Sequence, residues 1–402
     1  MLRALLGVSV GWLGISMVAD GLPALLIPYQ LLVAGRETSA TTLGLLTLIA
    51  IALAAAAQPL AGHWSDRVGR LPVIASGTGI AVAGLLLTLQ PATFLPGALV
   101  ALIGVSTAQG GQQPLLADRL PQDWRGRGAG LKSAFDVAGA LFGFVLLAAL
   151  LGSADTRLAV VALVAALVVG LSLTALLLGR DAPRLCHSQA AGRVRYAYRL
   201  DLQRHGPLAA LIVARFLFLL GIYTVGRFLL LFVADRFGLT PEAAGQQAGL
   251  LLALLAATTV IASLPAGWLA DRIGRRPLML AGGVFAAAGI GLMPVASSLE
   301  LMLVFGGLMA IGSAAFSTGS WALLSDLTAT PQAGRLLGFA NLGTAAAAAL
   351  AGGFGVLIDV GGYAVAFGLA ALFSLVGGVM ASRLTVRESS AEARIGHAEG
   401  VQ

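Results

Sequence analysis

The sequence predicts an all-α membrane protein of twelve transmembrane helices, built as two six-helix halves (6+6) around a central cavity. Three observations predict it. Of 402 residues, 58% are hydrophobic and 11% charged, against roughly 25% charged in an average soluble domain. Apolar runs of the length that crosses a bilayer, about 20 residues, recur from one end to the other. The second half of the chain repeats the first. Soluble enzymes, DNA-binding modules and secreted disulfide scaffolds are excluded by this composition. The single cysteine, Cys186, has no intrachain partner, and with His187 it lies in a solvated Arg-rich loop rather than a metal cluster.

Twelve stretches meet the length in order: 4–28, 42–62, 72–90, 95–117, 129–151 and 158–178, then 208–233, 244–268, 277–296, 300–324, 336–358 and 362–382. The first resembles a secretory signal, with Arg3 ahead of an apolar region. Its run is too long for one, and eleven spans follow, so it is read as retained. The second and eighth end in matching charged loops. The fifth is entered through Pro121-Gln122-Asp123-Trp124-Arg125-Gly126, and the sixth follows a very short loop carrying Asp155 and Arg157. The sixth and seventh are separated by the one long connection, about 180–207, whose six arginines suit topology and anionic headgroups. This divides the chain into a bundle at 1–179, a linker at 180–207, a bundle at 208–383 and a polar, disordered tail at 384–402. Loop charge orients the spans. With the N-terminus cytoplasmic, 20 of the 25 basic residues fall inside and only Arg36, Arg157 and Arg236 outside, leaving Arg215 and Arg227 within a span. Both termini are expected in the cytoplasm of a prokaryotic cell, and the chain in its inner membrane as a monomer.

Internal repetition is the most informative feature. Gly62-His63-Trp64-Ser65-Asp66-Arg67-Val68-Gly69-Arg70-Leu71-Pro72 returns 205 residues later as Gly267-Trp268-Leu269-Ala270-Asp271-Arg272-Ile273-Gly274-Arg275-Arg276-Pro277. Spans four and ten echo each other at an offset of 208, matching Ile103-Gly104 with Ile311-Gly312, Gly111 with Gly319, Leu115-Leu116 with Leu323-Leu324 and Asp118 with Asp326. Two halves in parallel orientation enclose a cavity between them. The doubled Gly-x-x-x-Asp-Arg-x-Gly-Arg pattern resembles the loop signature of the major facilitator superfamily, over about residues 1–383. Leu71 departs from it where a second basic residue is common. The resemblance implies a secondary transporter working by alternating access, in which this loop steadies one conformation. A physical reading stands beside it. Gly62 and Gly267 permit close helix packing, and Gly69 and Gly274 a tight turn with positive φ. Asp66 and Asp271 are placed to cap a neighbouring helix or to pair with arginine, so Asp66, Arg67, Arg70, Asp271, Arg272, Arg275 and Arg276 form a candidate gate.

Ionisable groups inside a span are costly and mark function by default. Asp20 lies about two-thirds along span one, followed by Gly21 and Pro23, which loosen the helix and free backbone carbonyls. A carboxylate there is a candidate for proton uptake and release. Span seven, the counterpart of span one, carries Arg215 and Arg227. At the 205 offset Arg227 matches Leu22, so Asp20 and Arg227 are expected at similar depth, with Arg227 either pairing with Asp20 when the cavity is closed outwards or snorkelling to the outer headgroups. Lys132 and Asp136 stand one turn apart in span five, placed for an ion pair, with Asp136 a second candidate proton site.

Polar groups at matching depth mark the expected substrate cavity: Gln109, Gln112 and Gln113 on span four, Trp321 among Ser317, Thr318 and Ser320 on span ten, Arg215, Tyr223, Thr224 and Arg227 on span seven, and Asn341 and Thr344 on span eleven. Amides beside aromatic faces suit a hydroxyl-rich solute. The expected function is therefore proton-coupled transport of a small, sugar-like organic solute, driven by the proton gradient with no cofactor, metal or nucleic acid. Span five lacks the Gly-Pro pair usual in drug–proton antiporters of the superfamily, reading Gly139-Ala140-Leu141-Phe142-Gly143-Phe144. Efflux of lipophilic compounds is the first alternative and a non-transporting membrane sensor the second. No nucleophile–base pair or phosphate loop supports an enzyme.

Overall fold

A computed structural model of the chain describes residues 1–34, 40–121, 124–153, 155–179, 206–327 and 333–384. The linker at 180–205, with Cys186 and His187, and the tail from 385 onwards lie outside the described residues. So do Arg36 and the Gln122-Asp123 pair of the loop before span five.

The described chain is helical. Helix α1 runs Leu2–Val33, α2 Ala40–Val68, α3 Arg70–Leu87, α4 Phe94–Gln112, α5 Arg125–Gly152 and α6 Thr156–Leu178. The second half begins with α7, Gly206–Phe237, followed by α8 Pro241–Ile273, α9 Arg275–Leu292 and α10 Leu299–Leu327. Helix α11 runs Ala333–Leu350 and continues through a 3-10 turn, Ala351–Gly353, to residue 361. There Gly362, with φ +76°, breaks a continuous apolar segment and starts α12 at 363–382. Among the described residues, eleven apolar segments by length thus fold as twelve spans, since only glycine takes that backbone conformation at no steric cost. Helix starts follow local chemistry: Asp155 accepts from Leu158 N at 2.8 Å to open α6, and Thr240 with Pro241 opens α8.

The duplication seen in the sequence is a duplication of packing. Between α3 and α4, Gly77, Gly84 and Gly104 face the backbone of Ala108, Ala101 and Ala81, so a Cβ on them would fall 2.3, 2.3 and 2.2 Å from the facing backbone nitrogens. Between α9 and α10, Gly282, Gly289 and Gly312 repeat this against Phe316, Met309 and Ala286 at 2.6, 2.5 and 2.4 Å. With lipid outside and no hydrophobic gain between spans, close backbone approach through small residues supplies the packing.

The halves meet at the end away from the two motif loops. There α2 lies against the α11–α12 junction, where Asp359 accepts from the N–H groups of Ala40 at 2.8 Å and Thr41 at 2.9 Å. Helix α5 lies against α8, with Gly249 over Ala148 and Gly152 over Gln246, and Gly245 packs on Tyr29 of α1. The fold is closed at this far end, with a cavity between the halves on the motif side.

Candidate functional site

The cavity holds about 640 Å³ between the halves. Nine of the sequence-predicted residues line it together: Asp20, Gln109, Gln113, Lys132, Asp136, Tyr223, Arg227, Asn341 and Thr344. Helix α1 positions Asp20. Pro23 and Pro28 each remove a backbone donor, and the helix widens into a π turn over Leu22–Leu26, where Ile27 N bonds Leu22 O. This is the loosening expected after Asp20, and π turns of this kind gather at functional positions. Asp20 is exposed to the cavity and, among the described residues, has no hydrogen-bond or ion-pair partner.

The other carboxylate is engaged. Asp136 pairs with Lys132 Nζ at 2.7 Å and accepts a short hydrogen bond from the Ser16 hydroxyl of α1. The Lys132 ammonium in turn sits 3.7 Å over the Trp12 ring, a cation–π contact. The ion pair expected one turn apart on span five is present. On the α4 wall, Gln58 of α2 donates to Gln113 Oε1 at 3.0 Å, which fixes that amide with its nitrogen available.

Arg227 faces the cavity from α7 and is only 7% exposed. One of its terminal nitrogens reaches Ala348 O at 3.5 Å, and its buried Nε has no partner. The expected Asp20–Arg227 pair is not made, although the cavity is closed at the far end. The two face the same space and lie within electrostatic range of each other, together with Asp136 and Lys132.

Seven predicted cavity residues do not line it: Gln112, Arg215, Thr224, Ser317, Thr318, Ser320 and Trp321. Gln112 is buried against α1, donating to Val8 O at 3.2 Å and leaving its Oε1 without a partner. It stands beside cavity-lining Gln113 in sequence, and the 100° turn per residue carries it off the cavity face and onto α1. Arg215 and Trp321 stack on each other, with the guanidinium 4.5 Å from the indole, while Arg215 donates to Ser320 Oγ at 2.5 Å. Arg215 lies about three turns from Arg227, and the 3.6-residue period alone does not say which neighbour a side chain that deep will meet.

The motif loops also differ in detail from the sequence expectation. Gly69 and Gly274 have φ +104° and +89°, as expected. A Cβ on Gly62 would make only ordinary contact with Gly110 O, at 3.7 Å, and one on Gly267 would meet open space. The tight contact belongs to Gly110, whose Cβ would fall 2.5 Å from Gln58 O. Arg70 rather than Arg67 is the central cation. It bonds Asp66 at 2.6 Å, Asp118 at 2.7 Å and Ser65 Oγ at 2.5 Å, tying α2 to the short helix Leu115–Arg119 that follows α4. Arg67 is exposed. In the second copy Asp271 and Arg276 are exposed, Arg272 stacks on Trp268 at 3.8 Å, and Arg275 is engaged, its carbonyl lying against Gly319 as that of Arg70 lies against Gly111. Sequence reasoning had not given Asp118 or Asp359 a role. The 208-residue echo carried Asp118 as a repeat and was the signal for it. Asp359 had no signal, because its partners are backbone groups 318 residues away.

A family model described as Major Facilitator Superfamily matches residues 10–246 and 211–401. The chain belongs to this superfamily. An uncharacterized MFS-type transporter, C18.02, of Schizosaccharomyces pombe is 30% identical over 165 residues, covering 40% of this chain and 36% of that protein. The inner membrane transport protein YajR of Escherichia coli K12 is 32% identical over 105 residues, covering 26% of this chain and 23% of its own. The matched stretches thus span about a third or less of these relatives. Among solved structures, a bacterial homolog of the human lysosomal transporter Spinster, inward-facing and occupied, aligns with TM-score 0.72 at 15% identity over 95% of this chain and 96% of its own. A D-xylose–proton symporter aligns with TM-score 0.71 at 16% identity over 96% and 97%. At these identities the superfamily likeness is one of fold. This chain is a multi-pass membrane protein.

Proposed function

We propose that this protein is a secondary active transporter that moves a small, hydroxyl-bearing organic solute by alternating access, coupled to protons through Asp20. It sits in the cytoplasmic membrane with both motif loops and both termini inside, so the state described is inward-facing. The observation that carries this reading is the cavity between the two repeats: a carboxylate without a partner beside a π turn, facing a guanidinium and a set of amides. Substrate sites of inverted or parallel repeat transporters lie at this midplane position. A carboxylate whose surroundings change between two states can bind a proton in one and release it in the other. Gln109, Gln113, Asn341 and Tyr223 supply the donors and acceptors that exchange with solute hydroxyls. Asp136, held by Lys132 and Ser16, orients α5 against α1 and is the secondary proton site.

The test uses purified protein in liposomes loaded with a pH-sensitive dye, with wild type compared against Asp20→Asn. A polar solute that drives proton entry in wild type and not in the variant supports symport through Asp20. Solute flux without proton movement, equal in both proteins, removes the coupling. A second reading, export of lipophilic compounds by proton antiport, draws on the apolar part of the wall formed by Trp12, Ile51, Phe144, Ile222, Leu252 and Met309. Proton movement opposite to a lipophilic cation in the same liposomes would establish it.

A further inference from the structure

The charges of the cavity balance in number but not in pairing. Lys132 and Asp136 neutralise each other at 2.7 Å. Asp20 and Arg227 do not, and no ion pair within 4.0 Å joins Arg227 to any acid among the described residues. An arginine that is 7% exposed, whose guanidinium has an unpartnered Nε and one marginal 3.5 Å bond to a carbonyl, is an incomplete site. Removing a charge from water is costly unless hydrogen bonds and an opposite charge replace the lost hydration. Asp20 supplies the opposite charge only across the cavity, as a long-range field. A ligand carboxylate matches the fork of donors that the guanidinium presents, in a way no neutral hydroxyl does.

We propose that Arg227 is a carboxylate-binding site, so that the transported solute is a hydroxylated organic anion of the sugar-acid or hydroxy-acid class. This rests on the transport reading above and adds the substrate's charge to it. Its carboxylate docks on Arg227, and its hydroxyls reach Gln109, Gln113 and Asn341. The arrangement also gives the coupling a physical cause. Asp20 in its charged form competes with the solute for the field of Arg227. Protonation of Asp20 removes that competitor, so proton and anion enter the cavity together. The other titratable groups facing this space are Tyr223, Lys132 and Asp136, the last two already paired.

Binding is read from the thermal unfolding midpoint of purified full-length protein in carboxylate-free buffer, titrated with matched pairs: gluconate against glucose, glycerate against glycerol, and acetate as the minimal probe. The expected result is stabilisation by carboxylates and not by their neutral counterparts, with acetate weakest. Arg227→Gln should weaken carboxylate binding by at least about tenfold, the loss of one charge-assisted hydrogen bond. Arg227→Lys, which keeps the charge and guards against a folding defect, should retain the preference for the anion at lower affinity. Asp20→Asn should bind the carboxylate at least as tightly as wild type. Equal stabilisation by the neutral partner, indifference of carboxylate binding to Arg227→Gln, weaker binding in Asp20→Asn, or no response to any carboxylate would each overturn the proposal. Transmembrane movement is measured separately in liposomes. Carboxylates that bind without crossing support the site and remove the transport reading; neutral solutes alone crossing would do the reverse.

Discussion

Gly44 and Gly352 offer a direct way to perturb the closed far end. A Cβ on Gly44 would lie 2.0 Å from Gly352 O and 3.1 Å from its carbonyl carbon; one on Gly352 would lie 2.2 Å from Gly44 O. An ordinary carbon–oxygen contact is about 3.3–3.6 Å, so α2 and α11 would have to separate by an ångström or more. These two helices belong to different halves. The penalty for Gly44→Ala therefore falls on the far-end-closed state and spares the state in which the halves have rocked apart. Overpacking a well-fitted contact costs about 1–3 kcal/mol, which shifts a two-state equilibrium by about five- to 150-fold towards far-end opening. The assay follows a cavity cysteine, Ala345→Cys, in a background with the native Cys186 replaced by serine. A membrane-impermeant maleimide is added from the far side. Labelling should accelerate in Gly44→Ala, and in Gly352→Ala, by a factor in that range. As a control, Gly77→Ala clashes within one half, its Cβ falling 2.3 Å from Ala108 N. It should lower the thermal midpoint and leave the labelling rate of the folded fraction unchanged. A folded Gly44→Ala protein that labels at the wild-type rate would refute the assignment of this contact as a gate.

Asp359→Ala removes the acceptor for Ala40 N and Thr41 N, a helix cap made from the opposite half. A cost of about 0.5–2 kcal/mol is expected, read as faster far-side labelling in the same assay. Arg70→Gln breaks the link from Asp66 to Asp118. With Asp66 44% and Arg70 16% exposed, solvent screening limits the loss to about 1 kcal/mol, measured as a lower thermal midpoint. Arg67→Gln, on an exposed side chain, should leave the midpoint unmoved. Gln112→Leu trades one hydrogen bond and one orphaned buried oxygen for a side chain of similar volume. Its stability, read from the thermal midpoint, should stay within about 1 kcal/mol of wild type, and solute affinity should not change because Gln112 lies outside the cavity.

The fold was legible because its determinants are local or periodic. A bilayer demands runs of about 20 apolar residues, and twelve such runs appear at 4–28 through 362–382 with ends within a few residues of the helices observed. The largest difference is the end of α2, at Val68 rather than 62, and helix ends are weakly specified by composition. The repeat was legible because both halves carry glycines at matching positions where backbones touch. The sequence offsets of 205 and 208 became matched contacts of Gly104 on Ala81 and Gly312 on Ala286. Asp20 stood out because an acid beside Gly21 and Pro23 in an apolar run has few reasons to be there.

Which polar residues share the cavity was not fixed along the chain. Gln112 and Gln113 are adjacent amides of equal polarity, and one faces the cavity while the other lies buried against Val8. Arg215 and Arg227 are both arginines within one span. The first found Ser320 and Trp321, and the second was left facing open space. Nor did the sequence name Asp359 as the partner of α2. Hydropathy, period and charge bias act over one or two turns, and so they determined the spans, the halves and the candidate acid. The partners of a side chain depend on the rotation of each helix about its axis and on which half it meets across the interface. Those are set by the packing of all twelve helices at once, and only the tertiary structure decided them.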